Sequence, residues 1–170
     1  MRCFVPFVFV VILAFPSHVL AQHDDSASMQ QEFLGTWKLV SYVREEIPSG
    51  AKSDVMGPHP QGYINYGRDG RMIVVIVSSN RRKPADAVAT PLEAAALLKS
   101  MLAYAGTFTV NSQAKTATHH VEMSWDESRT GKDQVRRFKL EGNNLKLTTN
   151  PSIDPATGEK TIRELIWHRD

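Results

Sequence analysis

The sequence predicts an all-β fold, an antiparallel up-and-down β-barrel of about eight strands with one short helix. Short segments rich in β-branched and aromatic residues follow one another from Phe33 to Arg169, with turn residues between them. The pair Asp69-Gly70 separates two of these segments and is a strong hairpin signal. A single segment, 91–102, carries the signals of a helix. Such a meander either closes into a barrel or stacks as a sandwich, and closure removes exposed strand edges.

The predicted strands, in chain order, are residues 33–43, 63–66, 72–77, 106–110, 116–123, 134–140, 145–148 and 161–169. The helix has Thr90 as its N-cap, Pro91 at the first helical position and Glu93 three residues after the cap. Leu98, Met101 and Leu102 form a narrow apolar stripe on it. We therefore expect the helix to lie against the sheet, over the strand 72–77, which is apolar on both faces, or to act as a lid at the barrel mouth.

The sequence divides into three predicted segments, of which the first is a leader. Residues 1–21 resemble a secretory signal peptide, with Arg2 before an uncharged apolar stretch and with Val19 and Ala21 at the small-residue positions before the cleavage site. The alternative is an uncleaved membrane anchor, but the apolar run is shorter than the roughly 20 residues that span a bilayer. We expect cleavage before Gln22, export to the periplasm or outside the cell, a flexible polar arm over 22–32 and a barrel domain over 33–170.

Composition excludes several classes of function. The net charge is +2, and loss of Arg2 with the leader lowers it by one, which is too balanced to favour nucleic acid or an anionic membrane as a partner. The single cysteine is Cys3, so the predicted mature chain has no thiol for catalysis or for zinc. Phosphate-binding loops and hydrolase or metalloprotease motifs are absent. The sequence predicts no cofactor and no stable membrane insertion, and it does not specify the oligomeric state.

Several motifs resemble a known family. Gly35-Thr36-Trp37 matches the Gly-x-Trp element that opens the first strand of lipocalins and fatty-acid-binding proteins. Residues 60–64, 67–72, 104–108, 118–122 and 134–138 are similar to the bacterial and fungal lipocalin-like domain family, in register over about residues 33–168. The resemblance implies a calycin-type barrel. It does not imply a fatty acid as ligand, because the last strand lacks the Tyr of the Arg-x-Tyr pair that fatty-acid-binding proteins use for a carboxylate.

A polar cluster is predicted on neighbouring strands. Because alternate residues of a strand share a face, His120 and Glu122 point one way and His119 points the other. Arg136 shares its face with Phe138, which favours an inward-facing guanidinium. The first interpretation places His120 and Glu122 inside with Arg136, as an anchor for a ligand carboxylate or hydroxyl or as a means to move a proton. A purely structural Arg–Glu pair, or the opposite parity with His119 inside, is the alternative.

The full set of candidate ligand-binding residues combines this cluster with side chains that line a cavity or fill the core: Tyr63, Tyr66, Met72, Tyr104, Phe108, His119, His120, Glu122, Trp125, Arg136, Phe138 and Trp167. Trp37 is expected to close the barrel base. His59, His119 and His120 do not predict a metal site, because adjacent residues of a strand point in opposite directions.

Three functions fit these features. The first is an exported protein that binds a small apolar or amphipathic molecule inside the barrel. The second is a cyclase or isomerase that acts on an apolar substrate in the same cavity, with His120, Glu122 and Arg136 as its catalytic residues. The third is a structural module whose barrel is filled with side chains and takes no ligand.

Overall fold

A computed structural model describes residues 18–155 and 157–170 of the protein. The described residues form one sheet and two α-helices, α1 (His18–Phe33) and α2 (Pro91–Lys99). The strands are β1 (Gly35–Ile47), β2 (Lys52–Asp54), β3 (Gln61–Tyr66), β4 (Arg71–Val77), β5 (Met101–Asn111), β6 (Thr116–Ser124), β7 (Asp133–Glu141), β8 (Asn144–Thr149), β9 (Ser152–Ile153) and β10 (Lys160–His168).

The sheet closes on itself. Eight long strands pair antiparallel in the order β1, β3, β4, β5, β6, β7, β8 and β10, and β10 pairs back onto β1 from Lys38↔His168 to Ile47↔Lys160. The short strands β2 and β9 add to β1 and β10. Closure gives every long strand a partner on both sides, so the barrel wall has no open edge. The predicted eight-stranded antiparallel barrel is therefore confirmed.

One end of the barrel is closed by α1 and by an aromatic cluster. The ring of Phe33, at the end of α1, makes edge contacts with Tyr66 at 5.3 Å and with Phe138 at 5.0 Å between ring centroids. The indole nitrogen of Trp37 donates to the carbonyl of Phe33 at 2.8 Å, and the guanidinium of Arg169 lies 4.3 Å from the Trp37 ring centroid. Trp37 is fully buried at this end, as expected for a residue that closes the base.

The N-terminal predictions are tested only in part. Most of the predicted leader, residues 1–17, lies outside the described residues, so the signal peptide and its cleavage stay predictions. The segment 22–32 has helical backbone as part of α1, where no regular structure was expected. Its last turn leads into Phe33, whose burial fixes the helix against the barrel base. The flexibility predicted for the arm stays a prediction.

The helix α2 begins as predicted but ends earlier and packs differently. Thr90 and Glu93 form the capping box. The helix ends at Lys99, because Leu102 instead enters β5 and is buried in the barrel. No residue of α2 is buried, and Leu98 is half exposed, so the expected apolar contact with the sheet is wrong. On β4, Ile73 therefore keeps 51 % of its surface exposed.

Candidate functional site

The barrel contains a cavity of about 300 Å³ that reaches the end opposite α1. This open end carries the loops 48–60, 78–100, 125–132 and 150–159. Part of the cavity wall is apolar and is formed by the side chains of Ile64, Val74, Ile76, Leu102, Leu147, Leu165 and Trp167. Its polar lining comprises Tyr42, Tyr104, His119, Arg129, Asp133, Gln134, Thr149, Asn150, Ser152, Arg136 and Arg163. None of the residues of α2 lines the cavity.

His119 is the buried polar centre of the site. It lies on β6 between the inward-facing residues Ala117 and Val121 and is 1 % exposed. The hydroxyl of Tyr66 is 2.8 Å from His119 Nε2, and the hydroxyl of Tyr104 is 2.8 Å from His119 Nδ1. Burial, assisted by the positive charge of Arg136, lowers the pKa of His119 to about 3. The imidazole is therefore neutral at physiological pH, with one N–H donor and one acceptor nitrogen.

The two tyrosines on either side of His119 stay protonated. Burial raises the pKa of the Tyr66 hydroxyl, and it also raises that of Tyr104, where the positive charge of Arg136 opposes the rise. Both side chains therefore offer an O–H group at physiological pH. The centre of the site is uncharged, and its only polarity is that of three hydrogen-bonding groups in a row.

Arg136 carries the positive charge of the site. It lies on β7 at the cavity wall, partly buried, as the pattern with Phe138 predicted. Its guanidinium donates to the carbonyl of Val135 at 3.1 Å and to the side-chain oxygen of Gln134 at 3.2 Å. Among the described residues, no carboxylate forms an ion pair with it. An arginine carries five N–H donors, so this one keeps donors free at the cavity.

The other arginines at the mouth are paired. Asp154 is 5 % exposed and accepts hydrogen bonds from Arg44 at 3.2 Å and from Arg163 at 2.9 Å. Arg129 donates to Asp126 at 3.2 Å. These ion pairs tie the 150–159 loop to β1 and β10 and leave Arg136 as the cavity-lining guanidinium without a carboxylate partner in the described part of the chain.

The structure corrects the first interpretation of the polar cluster. His120 and Glu122 lie on the outer face of β6, not in the cavity with Arg136. His120 contacts Asp133 at 2.7 Å and Thr109 at 3.0 Å, and Glu122 pairs with Arg71. The physical reason is strand parity: Ala117 and Val121 are the apolar residues of this strand, and their burial takes His119 inward with them.

The twelve candidate ligand-binding residues fall into three groups by position. The first group lines the cavity and comprises Tyr104, His119, Arg136 and Trp167. The second group is buried in the core around it and comprises Tyr66, Met72, Phe108 and Phe138. The third group lies on the outer surface or beside the mouth and comprises Tyr63, His120, Glu122 and Trp125, of which Trp125 is partly buried against the core. The structure thus brings four of the twelve candidates together at the cavity.

Sequence reasoning missed eight of the eleven polar residues of the cavity, among them Tyr42, Arg129 and Arg163. Tyr42 points inward because a bulge between Leu39 and Ser41 shifts the alternation of β1, and the sequence has no signal for that bulge. Arg163 shares its face with Leu165, so alternation along the last strand was a signal that could have found it. Arg129 comes from the 125–132 loop, and no periodicity predicts where a loop residue points.

Comparison with known protein families identifies the family of this chain. The model of the lipocalin-like domain matches residues 34–170, which is most of the chain. The chain belongs to the lipocalin-like domain family. A search of curated proteins finds no match to it. A lipocalin-like barrel indicates ligand binding in general, but the fold alone does not identify the ligand.

Two further properties of this lipocalin-like barrel bear on its partners. Within the described residues, no helix is long and apolar enough to cross a membrane. The same residues contain no group of three or more His, Cys, Asp or Glu side chains that would suit a metal ion. His119 and His120, the pair considered from the sequence, lie on opposite faces of β6.

Proposed function

We propose that the protein binds one small, largely apolar organic molecule inside the barrel, with the polar end of that molecule at Arg136. The observation that carries this proposal is a guanidinium at the wall of a cavity lined by both apolar and polar side chains, with no ion-paired carboxylate among the described residues. A partly desolvated cation without a counter-charge is costly for a fold to keep. A ligand that supplies polar atoms at this point compensates the cost.

The cavity size and an aromatic wall residue support the proposal. A volume of about 300 Å³ lies at the small end of the range of about 300–1,000 Å³ for small-molecule pockets. Trp167 lines the cavity, and its buried indole N–H has no hydrogen-bond partner in the described structure. Trp167 therefore contributes its ring and not its N–H group to the cavity wall, because the indole nitrogen has almost no accessible surface.

The enzymatic alternative has no observation in its favour. A cyclase or isomerase that uses His120 and Glu122 as acid and base requires both side chains in the cavity, whereas both lie on the outer face of β6. The histidine that does line the cavity, His119, is held neutral with both ring nitrogens already hydrogen-bonded. We therefore propose a binding protein and not a catalyst.

A fluorescence titration with N-phenyl-1-naphthylamine, a neutral apolar probe, tests the proposal. We expect saturable 1:1 binding by the wild-type protein. Val74→Phe fills the cavity from β4 and should weaken binding by about tenfold or more. Val75→Phe, on the outer face of the same strand, is the matched control and should bind as the wild type does. Equal binding by both variants, or no binding by the folded wild type, would refute a cavity site.

We also propose that the protein is exported and that this binding takes place outside the cytoplasm. The support is the predicted leader, residues 1–21, with Arg2, the apolar stretch and the small residues Val19 and Ala21. The intact mass of the protein purified from its own host tests export. A mature chain that begins at Gln22 is expected, and a chain that retains residues 1–21 would contradict the proposal.

A further inference from the structure

The hydrogen bonds around His119 admit only two arrangements. A neutral imidazole donates from one ring nitrogen and accepts at the other. In the first arrangement Tyr66 donates to Nε2, and the Nδ1–H group donates to the Tyr104 oxygen. In the second, Tyr104 donates to Nδ1, and the Nε2–H group donates to the Tyr66 oxygen. Each arrangement leaves one tyrosine with a hydroxyl hydrogen that His119 does not use.

The surroundings of the two tyrosines decide between these arrangements. Tyr66 is 1 % exposed and does not line the cavity, and its neighbours are the rings of Phe33, Phe108 and His119. A free O–H at Tyr66 would be buried without an acceptor, which is a costly state. Tyr104 lines the cavity, so a free O–H there can point into it. The first arrangement, with the hydrogen on His119 Nδ1, is therefore favoured.

We propose that the free O–H of Tyr104 and the guanidinium of Arg136 form a two-donor site for an oxyanion, so that the ligand is an apolar molecule with a carboxylate or similar anionic group. This inference rests on the proposed function, since it names the chemical class of the same ligand. His119 and Tyr66 are positioning residues in it: they set the direction of the Tyr104 hydroxyl and donate no hydrogen bond to the ligand.

The charges around the cavity agree with an anionic ligand. Asp154 is occupied by Arg44 and Arg163, and Asp133, which lies at the cavity lining, contacts His120 at 2.7 Å. Among the described residues that line the cavity, Arg136 is the cation without an ion-paired carboxylate. A charged acceptor between an O–H and a guanidinium makes hydrogen bonds roughly twice as strong as those of a neutral acceptor.

Two probes that differ by one sulfonate group test the class of ligand. 1-Anilinonaphthalene-8-sulfonate carries a sulfonate on the aromatic body of N-phenyl-1-naphthylamine. We expect the wild-type protein to bind the sulfonate at least about tenfold more tightly than the neutral probe. Arg136→Met should remove this preference, and Tyr104→Phe should weaken binding of the sulfonate by about three- to tenfold while changing binding of the neutral probe by less than about twofold.

Substitution of Tyr66 tests its positioning role. Tyr66→Phe lies outside the cavity, yet it removes the donor that fixes the tautomer of His119, so it should weaken sulfonate binding by about threefold and leave the neutral probe unaffected. Tyr63→Phe removes a hydroxyl from the outer face of the same strand and is the matched control, with no effect on either probe. If Tyr66→Phe weakens binding of both the neutral probe and the sulfonate, Tyr66 has a merely structural role and its positioning role is overturned.

A measurement on the wild-type protein alone tests the tautomer. Nitrogen-15 NMR of histidine-labelled protein distinguishes a protonated Nδ1 from a protonated Nε2, and we expect the hydrogen on Nδ1 of His119. Hydrogen on Nε2, or equal affinity for the two probes, would overturn the oxyanion site. If the neutral probe still binds in the cavity in that case, the proposed function stands and only its ligand class is wrong. If neither probe binds in the cavity, both proposals fail.

Discussion

His119 and His120 are neighbours in the chain and lie in opposite environments. His119 is 1 % exposed, and each ring nitrogen is 2.8 Å from a tyrosine hydroxyl. His120 stands on the outer face of β6, with 38 % of its side chain exposed, between Asp133 and Thr109. The difference follows from the pleat of the strand, which sends successive side chains to opposite faces. The comparison shows that the chemistry of a barrel residue depends on its parity more than on its type.

The largest expected effect that tests this contrast is on stability. His119→Ala leaves the hydroxyls of Tyr66 and Tyr104 without their partner and opens a void, so we expect it to lower the free energy of unfolding by about 2–4 kcal/mol. His120→Ala, the matched control, removes only an exposed contact and should cost at most about 1 kcal/mol. Urea unfolding followed by tryptophan fluorescence measures both. Equal losses would show that the two environments differ less than the structure indicates.

A smaller effect on the free energy of unfolding is expected from a change in pH. The pKa of His119 is about 3 in the folded protein, below its ordinary value of 6.5. Between these values the unfolded chain binds a proton that the folded protein does not, so the stabilising contribution is fully present above pH 6.5 and is lost as pH falls toward 3. The slope is about 1.4 kcal/mol per pH unit over most of that window.

The variant His119→Gln isolates the contribution of His119 titration to stability. A glutamine amide also offers one donor and one acceptor side, but it does not titrate. From pH 6.5 to pH 5.0, the wild-type protein should lose about 2 kcal/mol more unfolding free energy than the variant, by the same slope. Urea unfolding at the two pH values measures the difference. Parallel losses in the two proteins would show that His119 accepts a proton while folded and is not held neutral.

The barrel wall was predictable because alternation and turn residues are local signals. On β4, Met72, Val74 and Ile76 alternate with Ile73 and Val75, and the Asp-Gly turn before this strand fixes its pairing with β3. The same signals placed Arg136 at the cavity, because Phe138 shares its face. Closure did not follow from the number of hairpins, which also fits a sandwich, and it was the family resemblance that implied a barrel.

The parity of β6 was misjudged although the segment 118–123 carries a signal for it: Val121 and Met123 share the face of His119, whereas Thr118, His120 and Glu122 on the other face are all polar. Ala117 and Val121 mark the inner face, but Met123, which has the same parity, is 62 % exposed. The register shifts between Ala105 and Gly106 of β5, opposite this part of β6, and the alternation breaks there. A bulge depends on pairing between distant segments, so one sequence does not reveal it.

The smallest expected effect concerns Glu122, which was first expected to be the interior partner of Arg136. Its actual partner is Arg71, at 2.7 Å on the outer surface, where 62 % of the arginine side chain and 43 % of the glutamate side chain are exposed. Exposed ion pairs contribute about 0–1 kcal/mol, so Glu122→Gln should lower the free energy of unfolding by no more than that and less so at high salt. Binding of either naphthalene probe should not change, because Glu122 does not line the cavity. A loss of probe affinity in this variant, measured by the same titration, would place Glu122 inside the barrel and restore the parity that the structure reverses.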